Sequence, residues 1–316
     1  MPAVDPSRAV PSDRRLPAPW LAAPSALLVL VFVGLPVLLA LWRSFFLWDG
    51  TAAGSFAGLG NYGRVLGDGA FWAAVGTGLV LVVANVLKLG VGGALALALH
   101  RLRGSRWQPF YLALLLLPLL VPGLVTLLVW RGFFDSHYGL INQALEFTHL
   151  KGLLAVLFPG SIHAGQDVGW LKTPGLAVPA LILWGFPWVS AGGTLLFLAA
   201  LGRIRGRVYE AAALDCIRPG QVFRHVELPL LLSRAAPAAA LVAVGTLQNF
   251  GLQLLLLGPE GGAGGRGLTP GLYMYRRAFV DGRFGEACAS AVVLGSVLLG
   301  LVLLLRRLWR TVPLLP

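Results

Sequence analysis

The chain has 316 residues, of which 57% are hydrophobic and 12% charged, and its mean hydropathy is +0.78. A soluble domain carries about a quarter charged residues, so composition excludes a water-soluble enzyme or nucleic-acid binder. The net charge of +12 does not restore nucleic acid as a partner, because the basic residues stand in short clusters between long apolar runs, as in cytoplasmic loops of membrane proteins.

A bilayer core about 30 Å thick takes about 20 apolar residues as helix. In chain order, the qualifying segments are Trp20–Trp42, Phe71–Leu99, Pro109–Trp130, Leu176–Leu201, Leu230–Leu257 and Ala287–Leu305. Lipid cannot satisfy backbone polar groups, so each is predicted to be a helix. The expected fold is all-α, a polytopic membrane bundle of six transmembrane helices. A cytoplasmic segment 1–19, a transmembrane domain 20–310 and a tail 311–316 follow. Pro36, Pro118, Pro122, Pro179, Pro187 and Pro237 lie inside the spans and are expected to kink them. The first apolar run follows a basic segment but is long for a signal peptide, so it reads as a retained anchor.

Fifteen Lys or Arg fall on the side of the amino terminus, the second and fourth connections and the tail. Nine fall on the other side, spread over longer loops. Both termini are therefore predicted to be cytoplasmic. Cys216 and Cys288 then face opposite ends of the bundle and cannot form a disulfide. Lys88, Lys151 and Lys172 belong to no Gly-x-x-x-x-Gly-Lys loop, so no ATP site of that kind is present. His100, His137, His149, His163 and His225 form no metal-binding pair.

The fourth connection, 202–229, is long and patterned. Helix formers run from Glu210 to Leu214, and the breaker pair Pro219-Gly220 follows. This predicts a helix of about two turns, a turn, and a second short amphipathic piece ending at Leu228-Pro229. Small Ala faces permit close approach, while Glu210 and Asp215 offer charge to a partner.

Glu210-Ala211-Ala212, three residues, position 216, then Val226-Glu227-Leu228-Pro229 reproduce the length of the EAA loop of ABC importer permeases without a gap. The family's glycine is Cys216 here and its isoleucine is Val226. A cysteine lacks glycine's easy positive φ, which moves the expected turn toward Pro219-Gly220. Further pieces stand in family order: Trp48-Asp49-Gly50, Leu59-Gly60-Asn61-Tyr62, Trp130 through Asp135, Tyr138 through Asn142, Asn249-Phe250, Tyr273 through Phe279 and Gly285 through Ser290. Together they resemble the sugar-type, maltose-importer-like branch. Where that branch has Leu-Thr-x-Gly-Gly-Pro after the fifth span, this chain has Leu257-Gly258-Pro259-Glu260-Gly261-Gly262.

The resemblance implies a permease subunit that performs no chemistry and binds no cofactor. ATP and Mg would be used by two partner ATPase subunits. Tyr209, Glu210, Ala211, Ala212, Ala213, Leu214, Asp215 and Cys216 would form the coupling helix seated on them. A homologous second permease, an external solute-binding protein and the lipid bilayer would be the other partners, in a bacterial or archaeal cytoplasmic membrane.

Polar residues within spans mark a path, because each is costly against lipid. Gln248, Asn249 and Gln253 lie on the fifth span. Asn249 and Gln253 are four residues apart on one expected face, beside Phe250, and amides with an aromatic platform suit a sugar or related polyol. Lys88, with Asn85 three residues before it, is the mid-span cation, read as contacting substrate or pairing with the second permease. Trp184, Trp188 and Pro187 are candidates to line the path, although aromatic residues in spans are more often packing or belt residues. The stretch Gly139–Gly175 is expected to be a partly helical external cap. A secondary transporter would show internal repeats and more deep ionisable groups, and a membrane-embedded enzyme would show a convergent His, Asp, Glu or Cys constellation. Neither pattern is present. Amino-acid, phosphate or polyamine cargo keeps the importer reading, although Lys88 is the only basic group deep in a span.

Overall fold

The computed structural model describes residues 18–51, 54–160, 162 and 167–309. The amino-terminal segment up to position 17, the tail 311–316 and His163 lie outside the described residues. Some of the helices start where the sequence supplies a cap or a helix-compatible proline. Helix α1 (Ala18–Val29) passes through a π turn, Leu30–Gly34, into α2 (Leu35–Arg43). Pro36 has no N–H for the carbonyl four residues back, and the turn before it widens so that Leu35 N–H reaches Leu30 O.

A two-residue antiparallel ribbon follows, β1 (Phe46–Leu47) against β2 (Ser55–Phe56), with Phe46 opposite Phe56. Helix α3 (Gly60–Gly67) fastens it. The buried Asn61 amide donates to Ser44 O at 2.7 Å and Phe46 O at 2.8 Å, and the hydroxyls of Tyr62 and Ser44 meet at 2.6 Å.

Helix α4 (Gly69–Arg101) is the central rod, 33 residues and therefore about 50 Å long. Asp68 caps it by accepting from Ala70 N–H at 2.9 Å. The third expected span is no straight rod. Helix α5 (Gln108–Leu116), with its 3-10 end Leu117–Leu120, meets α6 (Gly123–Phe133) at 89°. Pro118 and Pro122 bracket the bend, where two missing donors let the chain turn. Two short helices, α7 (Leu140–Phe147) and α8 (Lys151–Leu157), lie in the long connection after it.

The fourth expected span, Leu176–Leu201, is also interrupted. It forms α9 (Ala177–Leu183) and α10 (Ala191–Leu201), with a turn between them containing Gly185 at φ +75°, a cis Phe186-Pro187 bond and Trp188 at φ +59°. Ser190 then caps α10, accepting from Gly193 N–H at 3.1 Å.

In the fourth connection α11 spans Gly206–Leu214. The expected pause at Pro219-Gly220 does not occur. Pro219 opens α12 (Pro219–Val222), and a π turn, Phe223–Glu227, carries the chain without a break into α13 (Leu228–Gln248), giving a 30-residue rod from Pro219 to Gln248. Proline at a first helical position is favourable because its absent N–H has no partner there anyway. The reversal sits earlier, at Cys216, whose φ is +53°.

The fifth expected span, Leu230–Leu257, ends as a helix at Gln248. Asn249 is extended (φ −70°, ψ 129°), and α14 (Gly251–Leu257) resumes beyond it. After a glycine-rich loop come α15 (Pro270–Tyr275), a π turn Arg276–Val280, and α16 (Phe284–Trp309).

The all-α membrane bundle stands, but not as six uniform rods. Among the described residues four helices are long and apolar enough to cross a bilayer, five if the bent α5–α6 pair counts as one span. Helix α4 packs most extensively against α10 and α13. Glycines make this approach possible. A Cβ on Gly78 would stand 2.5 Å from Leu247 Cδ2 and 2.9 Å from Pro270 Cδ, and one on Gly92 would meet Thr194 N at 3.4 Å. Apolar side chains on the outer faces, such as Phe32, Trp42, Leu87, Leu120 and Leu241, stay exposed within the chain, as lipid- or subunit-facing residues must.

Candidate coupling surface and intramembrane cavity

Helix α11 ends in a Schellman motif. Ile217 N–H donates to Ala212 O at 2.9 Å and Cys216 N–H to Ala213 O at 3.2 Å, with Cys216 in the left-handed position that usually belongs to glycine. The substitution thus leaves the turn where the motif's glycine would put it.

The helix presents two faces. Outward are Glu210, Ala211, Ala213, Leu214 and Asp215, and Leu214 is 85% exposed. Inward are Ala212 and Tyr209, whose hydroxyl donates to Glu227 Oε1 at 3.2 Å. His100 Nε2 lies 3.0 Å from the same hydroxyl, so with the tyrosine proton directed at Glu227 it is Nε2 that carries the imidazole proton. Arg101 Nη2 reaches Glu227 Oε2 at 3.4 Å. Burial, followed by the charge and hydrogen bond of Glu227, raises the Tyr209 phenol to about 12, which keeps it a donor. Glu227 is buried at the foot of α13, and His100 and Arg101 end α4. The outward helix is therefore tied through one tyrosine to the two long rods. A cleft of about 650 Å³ opens beside these groups, lined among others by Arg103, Gly206 and Ile217. Sequence reading missed Glu227 and His100. The available signal was a lone carboxylate in the apolar Val226-Glu227-Leu228-Pro229 segment.

A second cavity, of about 460 Å³, lies where the two broken helices face α4. Its wall includes Asn85 and Lys88 from α4, Trp184 through Ser190 in part from the α9–α10 turn, and Thr246, Asn249 and Gln253 from the α13–α14 break. Asn85 Nδ2 donates to Thr246 Oγ1 at 3.1 Å. Lys88 Nζ stands 5.7 Å from the Trp188 ring centroid. The Trp188 indole N–H donates to Ile182 O at 3.0 Å, which fixes the ring. Gln253 is 4% exposed, and its Oε1 has no hydrogen-bond partner.

Lys88, Asn249 and Gln253 are therefore brought together, although by a helix break and not by one helical face. Gln248 is exposed and lies off the wall, and Phe250 turns away to stack on Tyr275 at 5.2 Å and 18°. The aromatic surfaces come from Trp184 and Trp188 instead, residues that the sequence weighted toward packing. Both indoles enter the cavity because the α9–α10 turn replaces the helix expected there.

At the other end of α4, Asp68 accepts from the Tyr273 hydroxyl at 2.7 Å and pairs with Arg277, which also meets Asp281 at 3.0 Å. Burial works against the Asp68 carboxylate, but Tyr273, the Ala70 amide and Arg277 outweigh it and hold its pKa below the usual carboxylate value. Cys216 and Cys288 are both free thiols. Among the described residues no group of His, Cys, Asp or Glu is arranged to hold a metal ion.

An intramembrane cavity with sparse polar groups, joined by long rods to an exposed helix, is a transport architecture, and known proteins share it. The chain is 28% identical over 305 residues to the diacetylchitobiose uptake system permease protein NgcF of Streptomyces coelicolor, covering 92% of this chain and 81% of that protein. A chain in the crystal structure of a bacterial ABC transporter involved in the import of the acidic polysaccharide alginate has the same fold. Its TM-score is 0.74 at 20% identity, covering 93% of this chain and 94% of that one. A bacterial alginate ABC transporter in complex with an alginate pentasaccharide-bound periplasmic protein matches with a TM-score of 0.74 at 18% identity over 93% of each chain. The binding-protein-dependent transport system inner membrane component family matches residues 88–310, a stretch that holds the 202–229 connection and most of the cavity wall. The chain belongs to that family.

Proposed function

We propose that this chain is the permease subunit of an ATP-driven ABC importer and forms, with a second permease, the path for a sugar or related polyol. The observation that carries the cargo reading is the cavity at the helix breaks, where the amide residues Asn249 and Gln253 share a wall with two indoles. Hydroxyls hydrogen-bond to amides, and the apolar faces of a sugar ring pack on indole. The diacetylchitobiose and alginate systems of the related proteins support the same class.

Two ATPase subunits, using ATP and Mg, receive the outward face of α11, with Leu214 entering a cleft and Glu210 and Asp215 flanking it. An external binding protein delivers the solute, and both termini lie in the cytoplasm. Closure of the ATPase dimer moves α11, and Tyr209, His100 and Glu227 pass the movement to α4 and α13. The cycle is driven by the different affinities of the two permease states for ATP and for the loaded binding protein.

The test is purification through a tag on this subunit from cells co-expressing its partners, with ATPase activity measured with and without binding protein. Co-purification and stimulated hydrolysis are expected. Glu210→Lys should abolish stimulation and uptake while the subunit stays inserted and assembled. Stimulation at the wild-type level in that variant would remove the coupling assignment, and a chain that purifies folded but alone would remove the importer reading.

A further inference from the structure

The cavity holds an unbalanced charge. Lys88 lies near the middle of α4 and is half-buried, and among the described residues no Asp or Glu lines the cavity wall. A charge at this depth costs about 3 kcal/mol on insertion scales. The Trp188 ring, 5.7 Å from Nζ, returns about 0.5–2 kcal/mol as a cation–π contact. That contact leaves the three ammonium protons without a carboxylate among the described residues.

Three further observations surround this cation. Gln253 belongs to the same wall, and its buried Oε1 lacks a hydrogen-bond partner. Trp188 adopts φ +59° with a bulky side chain, a conformation costing on the order of 1–3 kcal/mol that persists only where surrounding structure holds it. Trp184 packs at 5.6 Å on Trp130, so the second indole of the wall is also fixed. A cation and two braced aromatic surfaces therefore converge on a cavity of about 460 Å³, within the ordinary range for small-molecule sites of roughly 300–1,000 Å³.

We infer that the cargo is an anionic saccharide. Its anionic group is met by Lys88, and a ring face lies on an indole. This rests on the importer reading above. Carboxylate, phosphate and sulfonate groups share the required chemistry. A charge-assisted hydrogen bond in a site of low dielectric is far stronger than one in water, so the ammonium discriminates against a neutral sugar of the same shape.

The experiment uses the complete transporter in liposomes with its binding protein. Its probes are glucuronate, galacturonate and mannuronate disaccharides, each beside its carboxyl-reduced counterpart, together with glucose 6-phosphate and glucose. Uptake of the charged member should exceed that of the neutral one in at least one pair, and the pair showing it identifies the anionic group. In that pair Lys88→Met should reduce the charged-to-neutral ratio by at least about tenfold, and Lys88→Arg should restore most of it. Equal or reversed preference in every pair overturns the inference, as does a Lys88→Met effect of the same size on both members. Failure to take up any probe while the binding protein still stimulates ATPase overturns the charged-saccharide cargo and leaves the importer standing. Loss of the second permease from the purified Lys88→Met complex shows that Lys88 pairs across the subunit interface, which also overturns it. Absence of stimulation in the wild-type complex is instead the failure of the importer reading, and the inference falls with it.

Discussion

Cys216 occupies a backbone position that disfavours every side chain. Its φ of +53° places Cβ against the following carbonyl, at a cost of about 1–2 kcal/mol that glycine escapes. Cys216→Gly should therefore stabilise the coupling loop by about 1 kcal/mol, read as a higher melting temperature of the purified subunit. A lower melting temperature would show that the thiol makes a contact worth more than the strain. Asp68 makes a pH-dependent contribution of predictable sign. Its folded-state pKa lies below the ordinary carboxylate value, so its stabilisation is complete above that ordinary value and is lost as pH falls through the folded pKa. Melting temperature should drop in acid below about pH 4, and Asp68→Asn should be less stable at neutral pH and less sensitive to acid. An unchanged acid slope in that variant would assign the loss to other carboxylates.

Helices obey a different arithmetic, in which length and close approach decide. Gly78 sits where α4 crosses α13 and α15, and a side chain there would drive into Leu247 and Pro270. Gly78→Val should lower stability by about 1–3 kcal/mol through overpacking, with Gly76→Val, at a position facing open space, as the control. Equal melting temperatures for the two variants would refute the close crossing. The rods themselves were legible in the sequence because hydrocarbon demands long apolar helices, and Gly69–Arg101 needs nothing else to be recognised. Their interruptions were not. A proline in an apolar run is as compatible with a kink as with a break, since neighbouring helices can satisfy the freed carbonyls. Only the combination of Gly185, Pro187 and Ser190 as a cap makes α9–α10 a turn. The same limit hid the cavity: Lys88 and Gln253 stood out as polar residues in apolar runs, whereas Trp184 and Trp188 could not be told from packing residues until the turn aimed them. Tyr209 was noticed for its place in the motif. Glu227 is buried under it, 18 residues later, and only the path of α12 into α13 brings it there.

For the molecule as a whole, the proposed orientation in the bilayer rests on the distribution of Lys and Arg, and the chain carries its own probe. Cys216 is exposed beside α11. In a Cys288→Ala background, a membrane-impermeant maleimide should leave intact cells unlabelled and modify Cys216 once the membrane is opened. Labelling of intact cells would invert the proposed topology and place the coupling helix outside. The two helix interruptions also bear on how such a protein diversifies. The cavity exists because the backbone turns at Gly185, Trp188 and Asn249, while its chemistry resides in a few side chains, Lys88, Gln253 and Trp184 among them. Backbone turn and wall chemistry are therefore encoded at largely different positions, with Trp188 and Asn249 serving both. On the proposed function, a few codon changes at the wall exchange one cargo for another while the α11 surface and the long rods keep their shape. A lineage of such subunits can acquire new nutrients without rebuilding the machine that moves them.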